Sequence, residues 1–135
     1  MAESKKQVAA LLSDLMFLAK IQEAAKRVAV DVVFMNSEEE AIRQAKENPS
    51  LMILDLNNAK LDALSVIEKL KSDPETSKTR LLGFVSHVQT ELKRAAEEKG
   101  CDSVIARSAF SRNLAAILRD YAGTDDQREE RLGVL

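Results

Sequence analysis

The stretch from Leu51 to Leu70 constrains the fold more than any other part of the sequence. It contains an apolar run that ends in Asp55, a polar turn, and then apolar residues at helical spacing: Leu64, Val66, Ile67 and Leu70. A strand that is apolar throughout is typical of a parallel sheet with helices on both faces. In such sheets the functional crevice lies beyond the carboxyl ends of the strands, which is where Asp55 lies. Asp55 is therefore a candidate functional residue, unless it only ends the strand and caps a turn.

Apolar strands and amphipathic helices alternate along the whole chain. We predict five strands: Gln7–Leu12, Val30–Met35, Leu51–Asp55, Leu81–Val85 and Ser103–Ala106. A helix follows each strand, and the last helix carries an apolar stripe: Phe110, Leu114, Ile117, Leu118 and Tyr121. Right-handed crossovers then favour an α/β fold, a single doubly wound parallel sheet in the flavodoxin-like order 2-1-3-4-5 within a three-layer sandwich.

Several residues mark the ends of these elements. Asp14 precedes the first helix as a cap, and Ser37 with Glu40 forms a capping box that opens the second helix, which we expect to run to about Lys46. Gly100 ends the fourth helix, and Gly83 inside the fourth strand indicates the close approach of a neighbouring helix.

Composition narrows the classes of protein to consider. The 135 residues carry a formal net charge of −2 and no apolar run of membrane-spanning length, so neither nucleic acid nor a membrane is an expected partner. The single Cys101 fits a reducing cytoplasm, and one cysteine with one histidine cannot form a Cys/His metal site. We expect one domain over residues 1–123 and a frayed polar tail over residues 124–135.

Polar side chains follow four of the predicted strands and should meet at the carboxyl edge of the sheet. They are Ser13 and Asp14, Asp55, Ser86 and His87, and Arg107 and Ser108. Carboxylates with a hydroxyl and a carbonyl are ligands that Mg²⁺ accepts. A carboxylate beside Mg²⁺ can take up a phosphoryl group, whose oxygens a cation and a hydroxyl would hold.

From about Lys6 to Gly123 the chain resembles the receiver domain of bacterial two-component response regulators. The best-matched stretches are Asn48–Asn57 and Gly100–Asp102. The resemblance implies that Asp55 is the phosphoacceptor, and that Ser86 contacts the phosphoryl group. It also implies a metal site: Asp14 would be the second residue of the family's acidic pair, Asn57 would offer its backbone carbonyl to Mg²⁺, and Ser13 stands where the first acid is expected.

Other positions depart from the family pattern. Arg107 stands in place of the lysine, and Ser108 in place of the proline after it, so a cis-proline bond is impossible there. Arginine is a planar fork rather than a point charge, so this exchange is not conservative. Two positions that modulate the family site differ as well, with Val104 in place of a switching aromatic residue and His87 in place of a small one.

Three interpretations remain open. The first is a stand-alone receiver in a phosphorelay, not an enzyme, which accepts a phosphoryl group on Asp55 with Mg²⁺ from a histidine kinase or phosphotransfer protein and docks to a downstream protein. The second is a phosphorylation-independent pseudo-receiver, a docking module with a degenerate acidic pocket, in which a direct Asp55–Arg107 pair replaces the metal. The third is a flavodoxin-like enzyme or nucleotide binder, although Asp14 lies where a phosphate would bind.

The resemblance also suggests an interaction surface. In the family, the face made by helix 4, strand 5 and helix 5 often binds partners. We therefore expect that face to bind a downstream protein or to form a homodimer.

Overall fold

The computed structural model describes residues 7–86 and 90–122, which form five strands and six helices. The strands are β1 (Gln7–Leu11), β2 (Asp31–Met35), β3 (Leu51–Asp55), β4 (Leu81–Val85) and β5 (Ser103–Ala106). The helices are α1 (Leu15–Arg27), α2 (Glu38–Ala45), α3 (Ala63–Ser72), α4 (Thr90–Glu98), α5 (Arg107–Arg112) and α6 (Leu114–Ala122). His87 and the predicted tail over residues 124–135 lie outside the described residues.

All four strand pairings are parallel, and the sheet order is β2-β1-β3-β4-β5. This order confirms the predicted doubly wound topology. The central strand β3 is buried along its whole length because both of its faces are covered by helices. Its alternate residues enter different cores, since Met52 and Leu54 pack with α2, α3 and α4, whereas Leu51 and Ile53 pack with α1, α5 and α6.

The predicted caps at the starts of α1 and α2 are confirmed. Oδ1 of Asp14 accepts hydrogen bonds from the backbone N–H groups of Met16 and Phe17, at 3.0 and 3.2 Å. Oγ of Ser37 accepts from the N–H of Glu40, whose carboxylate in turn accepts from the N–H of Asn36. Because Asp14 caps α1, its carboxylate is fixed at the carboxyl edge of the sheet.

The prediction of one continuous last helix is wrong. The helical geometry ends at Asn113, which has ψ of 15°, and α6 begins at the next residue. Both the backbone N–H and the side-chain Nδ2 of Asn113 donate to the carbonyl of Ala109, at 3.1 and 3.0 Å. This local side-chain bond competes with continued helical pairing, as asparagine side chains commonly do. The short α5 therefore starts directly at the end of β5, with Arg107 as its first residue.

The prediction that a neighbouring helix approaches Gly83 is also wrong. The close approach is made by the side chain of Leu56 in the loop after β3, not by a helix. By contrast, Gly100 has φ of +116°, so its predicted left-handed role at the end of α4 is confirmed. None of the helices in the described ranges is long and apolar enough to cross a bilayer.

The contact between Gly83 and Leu56 yields a stability prediction. A Cβ at position 83 would lie 2.9 Å from Cδ1 of Leu56, so Gly83→Ala overpacks the contact between β4 and the loop after β3. We expect Gly83→Ala to lower the free energy of unfolding by about 1 to 3 kcal/mol in urea titrations. In the Leu56→Ala background the same change should cost less, because the obstructing side chain is gone. Additive costs in this double-mutant cycle would contradict the contact.

Candidate functional site

The candidate site lies where β1, β3, β4 and β5 end. Asp55 is the last residue of β3, Ser86 follows β4, and Arg107 follows β5. Asp14 joins them as the cap of α1. The parallel order of the strands therefore brings together these four predicted site residues, which are far apart in sequence.

Asp55 is a buried carboxylate, with 7 % of the residue exposed. Its Oδ1 accepts a hydrogen bond from the backbone N–H of Asn57 at 2.9 Å. Burial raises the pKa of Asp55, and the Asn57 N–H and the positive charge of Arg107 oppose that rise. Within the described part of the chain, Oδ2 of Asp55 has no hydrogen-bond partner, so one oxygen is chemically available.

Arg107 pairs with Asp14, and this corrects the predicted Asp55–Arg107 pair. Nη2 of Arg107 donates to Oδ2 of Asp14 at 2.5 Å, which joins α5 to the start of α1. The guanidinium carbon lies 4.3 Å from the centre of the Phe17 ring and 5.9 Å from that of Phe84. Because Phe17 belongs to α1, this cation–π contact holds the arginine beside Asp14 rather than over Asp55.

The pair changes the electrostatics of Asp14. The hydrogen bond from Arg107 lowers the pKa of Asp14, and the N–H groups of Phe17 and Met16 lower it further. The pKa values of the two acids at this edge are therefore shifted in opposite directions. A cation lowers that of Asp14, and burial raises that of Asp55.

Asparagine side chains organise the loop after β3, and the sequence analysis did not foresee this. Oδ1 of Asn57 accepts from both the backbone N–H and the hydroxyl of Ser86, at 2.7 and 3.1 Å. Oδ1 of Asn58 accepts from the hydroxyl of Ser13 at 3.4 Å and from the N–H of Lys60 at 2.9 Å. The Asn57-Asn58 pair was a usable signal, because asparagine commonly bonds to nearby backbone in turns.

Val104 lies in the core with 5 % of the residue exposed. It is paired with Gly83 in the sheet and packs on the side of α2, α3 and α4. The position where the family resemblance expects a switching aromatic residue therefore holds a small buried side chain.

The oxygen atoms at this edge do not fit a divalent cation in the observed arrangement. Both carboxylate oxygens of Asp14 are engaged, one by the helix cap and one by Arg107, and the hydroxyl of Ser13 points to Asn58. Across residues 7–86 and 90–122, no group of three or more His, Cys, Asp or Glu side chains is arranged to hold a metal. Asp55 is left as a single carboxylate near a guanidinium, whose positive charge opposes the approach of a divalent cation.

Comparison with known proteins supports the fold. No family model and no curated protein matches the chain. The phosphorylated cyanobacterial phytochrome response regulator RcpA is similar over 86 % of this chain and 90 % of its own, with 23 % identity and a TM-score of 0.72.

Two further solved structures agree with this result. A response regulator from Hahella chejuensis covers 90 % of this chain and 98 % of its own, at 17 % identity and a TM-score of 0.79. The Mn²⁺-bound response regulator Rcp1 covers 88 % of this chain and 96 % of its own, at 16 % identity and a TM-score of 0.74. The predicted resemblance is thus confirmed in the architecture: this chain has the receiver fold of the response regulators.

Proposed function

We propose that this chain is a signalling module that works by docking to another protein and does not depend on phosphorylation. The observation that carries the proposal is the Arg107–Asp14 ion pair, stacked on Phe17. This ion pair occupies one carboxylate that a metal would need. Ser13 already stands where the family pattern has another acid. Without a metal, the described residues at this edge offer an incoming phosphoryl group only the guanidinium of Arg107 and the hydroxyl of Ser86, and both already have partners.

The arginine supplies the positive charge that such a site otherwise takes from a cation. Its guanidinium is always charged, forms charge-assisted hydrogen bonds with carboxylates and stacks on aromatic rings. All of these properties are used here, on Asp14 and on the rings of Phe17 and Phe84. The module would therefore keep one conformation at this edge whether or not Mg²⁺ is present. This is the pseudo-receiver interpretation, with Asp14 rather than Asp55 as the partner of Arg107.

A second candidate function is the phosphorelay receiver. One oxygen of Asp55 has no hydrogen-bond partner among the described residues, and Ser86 lies in the adjoining loop. Asp55 would then accept a phosphoryl group from a histidine kinase or phosphotransfer protein, with Ser86 and Arg107 on its oxygens. Asp14 and the Asn57 carbonyl would need to bind Mg²⁺, so the pair between Arg107 and Asp14 would first have to open.

The same proposal treats the chain as a cytoplasmic binding module and not as an enzyme. The single Cys101 is buried, and burial raises the pKa of its thiol to about 11, so it stays protonated and inert at neutral pH. Ser86 bonds to Asn57 through both its N–H and its hydroxyl, so it has a structural partner in place of a catalytic base.

Incubation with acetyl phosphate and Mg²⁺ separates the two candidates. Because Arg107 holds Asp14, we expect intact-mass analysis of the full chain to find no phosphoryl adduct. A wild-type adduct that disappears in Asp55→Asn would contradict the proposal and establish the phosphorelay candidate.

The chain offers a matched positive control for that experiment. Ser13→Asp combined with Arg107→Lys adds a carboxylate and removes the guanidinium fork from Asp14. We expect this double variant to gain an adduct that Asp55→Asn abolishes. The same lack of adduct in wild type and double variant would mean that Arg107 and Ser13 are not what closes the site.

The lowered pKa of Asp14 predicts how the stability of the fold depends on pH. A carboxyl group with a lowered pKa stabilises the fold above its ordinary pKa, and this contribution is lost as the pH falls through the lowered value. Arg107→Met should therefore cost about 0.5 to 1 kcal/mol at pH 7, and this cost should become smaller as the pH falls and Asp14 takes up a proton in both proteins. Thermal unfolding across this range measures the difference.

Carbon-detected NMR titration of the carboxyl groups tests the cause directly. In Arg107→Met the pKa values of Asp14 and Asp55 should both rise, since both lose a nearby positive charge. The rise should be larger for Asp14, which also loses a hydrogen bond. A larger rise for Asp55 would place the guanidinium over Asp55 instead.

A further inference from the structure

Strand β2 lies at one edge of the sheet, and its outer side is open. In the described part of the chain it pairs with β1 and with no other strand. Val32, Val33 and Phe34 are each partly exposed, although all three are apolar and Phe34 is large. The helices beside β2 have their neighbours on the side away from this edge, since α1 packs against α6 and α2 packs against α3. An edge strand of this kind can pair with a further strand.

The backbone groups of Val32 and Phe34 point away from the sheet. The carbonyl of Met35 accepts a hydrogen bond from the N–H of Leu12 at 3.3 Å, so Met35 directs its backbone groups toward β1. The direction alternates along a strand, so Val33 also faces β1, whereas Val32 and Phe34 face outward. No turn or cap hydrogen bond among residues 7–86 and 90–122 reaches these two residues. Each therefore offers an N–H and a carbonyl to a new partner strand.

The sequence of β2 lacks the features that usually keep edge strands apart. Such edges are commonly blunted by lysine, by proline or by a β-bulge. β2 contains neither lysine nor proline, and its register with β1 runs unbroken from Asp31 to Met35. Asp31 is its first residue and carries its one charge, so the rest of the edge is apolar.

An antiparallel pair of two copies, centred on Val33, matches this edge position by position. Val32 then lies opposite Phe34 of the second copy and exchanges both backbone hydrogen bonds with it. Val33 lies opposite its own counterpart, at the non-hydrogen-bonded spacing of about 4.5 Å between Cα atoms. Val32 and Phe34 lie on the same face of the sheet, so each valine meets an aromatic ring. Pairs of this kind stabilise a sheet.

Charges at the two ends of β2 favour the same arrangement. The last turn of α1, with Lys26 and Arg27, comes just before the amino end of β2. The acidic first turn of α2, Glu38–Glu40, comes just after its carboxyl end. An antiparallel pair brings the basic end of each copy to the acidic end of the other. Asp31 and Lys60 reduce this contrast without reversing it.

We propose that two copies of this chain associate through β2, antiparallel and centred on Val33, so that their sheets form one continuous sheet. The interface is isologous, because the same strand faces itself across a twofold axis. It lies away from the face of helix 4, strand 5 and helix 5, where the family resemblance places a homodimer. It also leaves Asp55 outside the interface, so the association does not depend on phosphorylation.

Sedimentation velocity of the full chain measures the association. Because a single pair of edge strands makes a small interface, we expect a dimer at about 100 µM chain that dissociates on dilution. A chain that stays monomeric at this concentration would overturn the proposal.

Cysteine cross-linking tests the register. Val33→Cys sets two thiols opposite each other, at a spacing that a disulfide can bridge, so mild oxidation should give a covalent dimer in intact-mass analysis. Val32→Cys is the matched control, because its counterpart lies diagonally across the pair, at about 7 to 8 Å between Cα atoms. The native Cys101 does not interfere, since it is buried and the pKa of its thiol is raised to about 11. Equal cross-linking of the two variants, or none in Val33→Cys, would contradict the proposed pair.

A charge exchange at Val33 tests the same contact without a disulfide. Val33→Lys and Val33→Glu each set like charges opposite each other, so each should weaken self-association about tenfold or more. A one-to-one mixture of the two variants should associate again, because opposite charges then face each other. Recovery in the mixture distinguishes a lost interface from a lost fold, and a mixture that stays monomeric would refute the pairing.

Variants on α4 provide the control for the alternative dimer. Thr90→Lys with Glu91→Lys changes two exposed residues of α4 and should leave the dimer affinity within about twofold. A dimer that this change abolishes, and that the Val33 variants leave intact, would place the homodimer on the face of helix 4, strand 5 and helix 5 and overturn the proposal.

Discussion

The ion pair between Arg107 and Asp14 is the contact on which the arrangement of the carboxyl edge depends. Asp14 caps α1 with one oxygen and accepts Arg107 with the other, while the guanidinium rests on the Phe17 ring of the same helix. The cap thereby fixes the first turn of α1, the arginine fixes α5 against it, and the acid is withdrawn from any metal. Each consequence follows from a single aspartate, both of whose carboxylate oxygens accept hydrogen bonds.

The same contact separates the two acids chemically. Asp14 is held ionised by a cation, whereas Asp55 is buried, has a raised pKa and lacks a direct ionic partner among the described residues. A site that must gather two carboxylates around one cation needs both to be ionised and oriented together. Here the fold around such a site is retained, but Asp14 is bound to Arg107 and Asp55 to the N–H of Asn57, so the two carboxylates do not converge on one cation in the described structure.

The strands and their order were predictable because apolar runs and short connections leave a parallel sheet few alternatives. β3, β4 and β5 were predicted to the residue: β3 and β4 are buried throughout, which requires long apolar runs, whereas β5 is a short, partly buried edge strand that ends just before Arg107. The break at Asn113, the contact of Leu56 with Gly83 and the partner of Arg107 were not predictable. They depend on side-chain contacts: Asn113 bonds back to Ala109, the Leu56 side chain packs over Gly83, and Arg107 stacks on the Phe17 ring. Local sequence identifies residues that can make such contacts, but it does not indicate which neighbour each side chain contacts.

A crystal structure of the protein grown with Mg²⁺ and beryllofluoride tests the central claim most directly. Beryllofluoride with Mg²⁺ mimics a phosphorylated carboxylate, so these conditions give the metal its best opportunity to displace the arginine. The account predicts that Arg107 remains on Asp14 and on the face of Phe17, with no ion between Asp14 and Asp55. A hydrated Mg²⁺ bound by both acids, with beryllofluoride on Asp55 and Arg107 turned away from Asp14, would contradict it.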